Sequence, residues 1–189
     1  MKRFFLSLFF TLFLTPAFTG CDAIYGYLQK EGAEERVILG ELIPFQENLK
    51  VKELQKLLKL YGYNPGSVDG KFGPNTRKAI ARFQEDNGLE VTRFVDEPTW
   101  DELHRFYNKG LVVNGELNFK KVQTALRYAG LYNGTIDGKM GTQSKIALYQ
   151  FQQQNALQTD GRIGFKTLSK LAHHLPEPQH SSSVAEASE

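Results

Sequence analysis

Apolar residues recur at three- and four-residue intervals along this chain, in stretches separated by glycine, aspartate and asparagine. Val51, Leu54, Leu58 and Tyr61 share one helical face, and Gly62 stands where a left-handed C-cap belongs. Thr76, Ala79, Ile80 and Phe83 form a second face behind Pro74, which suits a first helical position, and Gly88 ends it. A third face opens at Asp96 and carries Trp100, Leu103 and Tyr107. The same three patterns then return. Phe119, Val122, Leu126 and Ala129 run between Asn118 and Gly130; Ser144, Ala147, Leu148 and Phe151 follow; Leu168, Leu171 and Leu175 lie behind Gly164. Gly73 and Gly141 read as N-caps of the middle helices, and Asn87 and Asn155 as residues that tolerate the left-handed region. Strand alternation is confined to Val112-Val113, so the predicted class is all-α.

The return has a fixed period. Asp69 pairs with Asp137, an offset of 68 residues (137 − 69), and the same offset pairs Gln55 with Gln123 and Leu103 with Leu171 without a gap. Two tandem three-helix bundles are therefore expected, at residues 50–107 and 118–175, with a linker at 108–117. A unit this small has a thin core, since below about 70–80 residues one core rarely supplies more than 3–5 kcal/mol. The two units are accordingly expected to pack against each other. Residues 21–49 read as a connector, in which Val37-Ile38-Leu39 and Leu42-Ile43 can reach the first unit.

The ends carry a different message. Lys2-Arg3, an apolar run from Phe4 to Leu14, and the small residues Thr19-Gly20 before Cys21 have the layout of a secretory signal peptide at residues 1–20. F-T-G-C resembles a bacterial lipobox, with Phe18 where an aliphatic residue is usual. That resemblance implies lipid on Cys21, palmitate included, and a membrane anchor; cleavage near Ala17 with a free thiol is the alternative. Asp22 after the cysteine points to inner-membrane retention under the rule of enterobacteria-like lipoproteins. Cys21 is the single cysteine of the chain, so no internal disulfide can form. Without Lys2 and Arg3 the 23 basic residues become 21, equal to the 21 acidic ones. That balance argues against nucleic acid as a partner. Residues 176–189 are poor in core-forming side chains and are expected to form a disordered tail.

The repeated loop invites three chemistries. An EF-hand fails because Ser144 stands where the bidentate glutamate belongs. A glycosidase pair needs two carboxylates facing one bond, whereas Asp69 and Asp137 are one position written twice. The structural reading remains: Asp69 and Asp137 accept N–H groups of their own turns, while Gly70, Gly73, Gly138 and Gly141 allow positive φ and close approach. His104, His173, His174 and His180 lack the cysteine or spaced carboxylates of a zinc site, so no metal, cofactor or catalytic residue is assigned.

The order L-Q-x-x-L-x-x-x-G-Y, V-D-G-x-F-G-x-x-T and A-x-x-x-F-Q-x-x-x-G-L runs from Leu54 to Leu89. It returns with Met140, Ser144 and Ala156 as departures, and Thr92-Arg93 stands where the second copy has Asp160-Gly161. This resembles the peptidoglycan-binding domain found beside cell-wall amidases, carboxypeptidases and lytic enzymes. The resemblance implies a non-catalytic three-helix module in the cell envelope, facing the periplasm or wall and contacting a glycan strand or stem peptide. Tyr63 and Tyr132 are candidate platforms for sugar faces, and Lys71 and Lys139 candidate partners for stem-peptide carboxylates. Two other readings stay open: an envelope platform for a protein partner, and an accessory subunit that brings a separate cell-wall hydrolase to its substrate.

Overall fold

The computed structural model describes residue 30, residues 32–43 and residues 46–177. Residues 1–20, where a signal peptide is expected, Cys21 and positions 178–189 lie outside the described residues. A short helix α1 (residues 32–39) precedes α2 (Leu49–Leu60), α3 (Pro74–Asp86) and α4 (Glu97–His104). A hairpin of β1 (Val112–Val113) and β2 (Glu116–Leu117) leads into α5 (Phe119–Tyr128), α6 (Thr142–Gln154) and α7 (Phe165–Ala172). The architecture is all-α apart from that antiparallel pair.

Local chemistry sets the helix ends. Asn48 accepts from the Lys50 and Val51 N–H groups at 2.9 and 3.1 Å, Asp96 from Thr99 N–H at 2.9 Å, and Asn118 from Lys121 N–H at 3.3 Å. Gly73 and Gly141 are the N-caps of α3 and α6, as expected, but their φ values of −125° and −73° are open to any residue. The expected positive φ at these two glycines is thus corrected: an N-cap needs extended backbone, not glycine's freedom. A second correction concerns Asn87 and Asn155, whose φ values are −108° and −96°. Their side chains donate back to Phe83 and Phe151 carbonyls at 2.8 and 2.9 Å, and the left-handed turn falls one residue later, on Gly88 and Ala156.

The apolar faces converge on one core that crosses the repeat boundary. Phe165, at the start of α7, meets three rings of the first unit: Phe106 at 5.0 Å, Tyr61 at 5.2 Å and Phe83 at 5.5 Å, all edge-on. Tyr61 donates to the Leu103 carbonyl at 2.6 Å, so its hydroxyl is satisfied inside that cluster. The expectation that the units pack together holds. The segment between them contributes as well: Leu111 and Val112 are fully buried, and Gly115 donates to the Tyr107 hydroxyl at 2.8 Å. Asn114 and Gly115 turn the hairpin at φ 53° and 74°.

The connector is also part of the first unit. Leu39 is buried, as anticipated for that apolar run, whereas Val37 is 82% exposed and Ile43 half exposed. Glu35 is buried with its carboxylate held by both Arg77 Nη atoms at 2.6 and 2.7 Å and by Val95 N–H at 2.9 Å. Burial is tolerable here because the charge is paired bidentately and a backbone N–H adds a third donor. Among the described residues no helix is long and apolar enough to cross a membrane.

Because Phe165 belongs to the second unit but is packed by the first, Phe165→Ala should cost about 3–5 kcal/mol. It should also split unfolding into two steps. Denaturation followed by Trp100 fluorescence and by far-UV circular dichroism checks this. Coincident curves for the variant at unchanged midpoint would show that the units do not depend on the shared cluster.

Candidate functional site

The loop that repeats is built around a buried glutamine. Gln55 points from α2 into the turn at 68–72, where its Oε1 accepts from Asp69 and Gly70 N–H groups at 3.1 and 2.8 Å. Its Nε2 donates to Lys71 carbonyl at 3.0 Å, to Thr76 Oγ1 at 3.3 Å and to Asp69 Oδ1 at 3.2 Å. Gln123 repeats the pattern: Oε1 accepts from Gly138 N–H at 2.7 Å, and Nε2 donates to Lys139 carbonyl, Ser144 Oγ and Asp137 Oδ1. Both glutamines are essentially without solvent contact. An amide is the side chain suited to this, since it accepts at one end and donates at the other.

The same device closes the loop before the last helix of each unit. Gln152 accepts from Gly161 N–H at 3.0 Å and donates to Arg162 carbonyl at 2.8 Å; Gln84 accepts from Arg93 N–H at 2.9 Å and donates to Phe94 carbonyl at 2.9 Å. The residue whose N–H is bound is left-handed in all four: Gly70 at φ 71°, Arg93 at 67°, Gly138 at 80° and Gly161 at 72°. Thr92-Arg93 therefore keeps the geometry of the missing Asp-Gly. Thr92 Oγ1 accepts from Gln84 Nε2 at 2.8 Å, in the role that Asp160 Oδ1 has toward Gln152. An arginine in this conformation carries strain of about 1 kcal/mol. Glycine at 93 would release it but would lose about 0.4–1 kcal/mol to the freedom of the unfolded chain, so the fold is nearly indifferent to that exchange.

The predicted loop residues fall into place around these amides. Asp69 and Asp137 each accept from the N–H two residues on, Lys71 at 2.9 Å and Lys139 at 2.8 Å, as Asx turns do. Gly70 also has a contact reason: a Cβ there would lie 2.8 Å from Glu47 Cγ and 2.9 Å from Asn48 carbonyl. Gly138 has the positive φ, with Lys120 Cγ at 3.1 Å.

The four ligand candidates are not brought to one place. Lys71 is exposed and lines a cleft of about 440 Å³ between the loop and the start of α3. Lys139 is exposed in the matching turn. Tyr63 is half-buried, edge-on to Phe83 at 5.5 Å, and burial followed by the nearby Asp86 charge pushes its phenol up to about 12. Tyr132 aligns at the repeat offset with Asn64 rather than Tyr63, and it is 5% exposed. Its hydroxyl donates to Thr135 carbonyl at 2.7 Å and accepts from Gln123 Nε2 at 3.3 Å, so it belongs to the loop's own network. Trp100 is half-buried and stacks on His104, whose ring nitrogens meet Trp100 carbonyl and Glu53. No group of three or more histidine, cysteine or carboxylate side chains placed to hold a metal ion occurs among the described residues.

Sequence reasoning gave the glutamines no role. The signal was present: Gln55 and Gln123 each precede an Asp-Gly by 14 residues, and Gln84 and Gln152 each precede a second turn by eight.

Comparison with known proteins gives the two units a family. The model described as "Putative peptidoglycan binding domain" matches residues 47–103 and again 115–171. Three curated relatives are similar over part of their length. A carboxy-terminal processing protease, CtpB of Bacillus subtilis, is 36% identical over 80 residues, 42% of this chain and 16% of that protein. The N-acetylmuramoyl-L-alanine amidase CwlM of Mycobacterium tuberculosis is 29% identical over 53% of this chain and 27% of its own. A spore cortex-lytic enzyme of Oceanobacillus iheyensis is 30% identical over 54% and 34%. The chain thus spans about a third or less of the relatives it matches. No solved structure matches.

Two outcomes are expected of the loop. Gln123→Leu leaves Gly138 N–H and Lys139 carbonyl without their partner and should lower stability by about 1–3 kcal/mol, read from urea midpoints; a change near zero would mean water replaces the amide freely. The second concerns acid. The Lys71 N–H and then the Gln55 amide lower the pKa of Asp69 below its ordinary 3.8; for Asp137 the Gln123 amide comes first and the Lys139 N–H second. A carboxylate lowered on folding stabilises the fold above its unfolded pKa and loses that contribution as pH falls through its folded pKa. Melting temperatures of Asp69→Asn/Asp137→Asn should therefore fall less than wild type between neutral pH and pH values below 3.8. An equal fall would remove these aspartates from the acid response.

Proposed function

The chain belongs to the peptidoglycan-binding domain family, and from that premise we propose that it is a non-catalytic envelope protein, lipid-anchored at Cys21, that grips peptidoglycan with both units. The observation that carries this reading is the double family match, each half with its own complete pair of loop locks. One shallow module offers a weak site to a repeating polymer; two in one chain raise the effective concentration of the second contact. Support for the absence of catalysis comes from Asp69 and Asp137, whose carboxylates are bonded to their own turns rather than aimed at a common bond. Support for the anchor comes from the basic start, the apolar run and F-T-G-C before Cys21. Several acyl chains on one residue, at about 0.8 kcal/mol per buried methylene, give lasting attachment. The protein then faces the periplasm or wall.

The similarity to an amidase and to a cortex-lytic enzyme favours a second reading, an accessory subunit that places a separate hydrolase on the wall.

Purified, protein-free sacculi should carry the wild-type chain into the pellet, and Gln123→Leu less of it. A chain that stays in the supernatant at every protein concentration ends the reading. Labelled palmitate should enter the wild-type chain and not Cys21→Ala; equal labelling would place the lipid elsewhere. Faster release of muropeptides by a hydrolase when this chain is added would favour the accessory role over simple holding.

A further inference from the structure

A groove of about 750 Å³ runs between the connector after α1 and the outer face of α3. Its floor is apolar, made by Leu42, Phe72 and Ala81, and its rim is cationic, made by Lys78, Arg82 and Arg93. No aspartate or glutamate lines it among the described residues. Arg77 forms the back wall in a fixed position: its guanidinium lies 4.2 Å from the Phe72 ring centre and 4.5 Å from that of Phe94, and Glu35 neutralises it from behind. Lys78, Arg82 and Arg93 have no such neutralisation; among the described residues none of the three makes an ion pair. Three positive charges thus ring an apolar trough in a chain whose overall charge is close to balanced.

Two further facts separate this groove from the shared framework. At the repeat offset, Lys78, Arg82 and Arg93 correspond to Ile146, Gln150 and Gly161, so the second unit has no cation at any of these positions. Arg93 also keeps a left-handed φ of 67° where the second unit has glycine. Because the fold is nearly indifferent between glycine and arginine at this position, the exposed guanidinium is available to the rim at no cost to the amide lock.

We propose that this groove is a binding site for the acidic stem peptide of peptidoglycan, with Lys78, Arg82 and Arg93 pairing its carboxylates and the apolar floor receiving its alanyl methyl groups. The assignment rests on the peptidoglycan reading above and deepens it: the first unit takes the peptide, through a wall that the connector supplies. A peptide with carboxylates at short spacing fits the charge and the apolar floor together. A sugar strand without peptide offers one lactyl carboxylate per disaccharide and nothing for the apolar floor, so it would use the groove only in part.

The test uses the full chain and two soluble probes, a disaccharide bearing its stem peptide and the same glycan without peptide. Lys78→Glu/Arg82→Glu, both on the exposed face of α3, should raise the Kd for the peptide-bearing probe by about tenfold or more and that for the bare glycan by clearly less. Arg93→Gly, which copies the second unit's residue, should keep the melting temperature and raise that Kd by about threefold to tenfold. Lys145→Glu, on the matching helix of the second unit, should leave it unchanged. Equal affinity of wild type and the rim variants for the peptide-bearing probe overturns the proposal, as does a wild type that binds only the bare glycan. Loss of binding to phosphatidylglycerol vesicles, with the peptide probe unaffected, would reassign the groove to a lipid surface and overturn it too. Sacculus sedimentation separates the two levels: wild type and rim variants retained alike sinks only the groove, whereas no retention of wild type sinks the broader reading.

Discussion

Four buried primary amides hold this protein's loops to its helices. Each accepts one left-handed N–H and donates to the next carbonyl, so a turn with no regular partner is satisfied in the interior. The helices could bury their apolar faces in several arrangements. A side chain that must meet an N–H and a C=O at once allows few. Hydrophobic burial supplies most of the driving force in such a small unit, while the amides fix where one helix ends and the next begins.

With the framework fixed that way, the rest of each unit is free to differ. The first unit replaces Asp-Gly by Thr92-Arg93 and keeps the lock, because threonine's hydroxyl stands in for a carboxylate oxygen and arginine accepts the φ that glycine would take without strain. It has also acquired a connector whose Glu35 reaches 42 residues along the chain to Arg77. The second unit keeps the Asp-Gly pair and carries exposed Ile146 and Tyr149 on the face where the first is cationic. Duplication preserved what folds and relaxed what faces solvent.

Much of this was legible in the sequence because it is local. Three- and four-residue spacing marks a helix face whatever it packs against, and Asp-Gly marks a turn because its chemistry completes itself within three residues. The amides were not legible in the same way: a glutamine at a helix position reads as surface, and only its partner, 14 residues on, shows it is buried. Phe165 is the plainest case of information absent from either repeat alone, since its ring neighbours all lie in the other copy. Tyr63 and Tyr132 looked like counterparts because both follow the first helix. One residue of difference in register sends Tyr132 into the loop network, while Tyr63 packs on Phe83. Gly73 and Gly141 misled in the opposite direction, as glycines whose freedom the backbone leaves unused.

The aromatic joint at Phe165 and the buried side chains of Leu111 and Val112 tie the halves together. Tandem modules on a loose tether can each settle wherever a polymer happens to offer a foothold. Here one shared core sets the separation and orientation of the two units before any encounter. On the proposed reading, a polymer held by both units at once would have to match that fixed spacing, so its pitch would count as well as its amount.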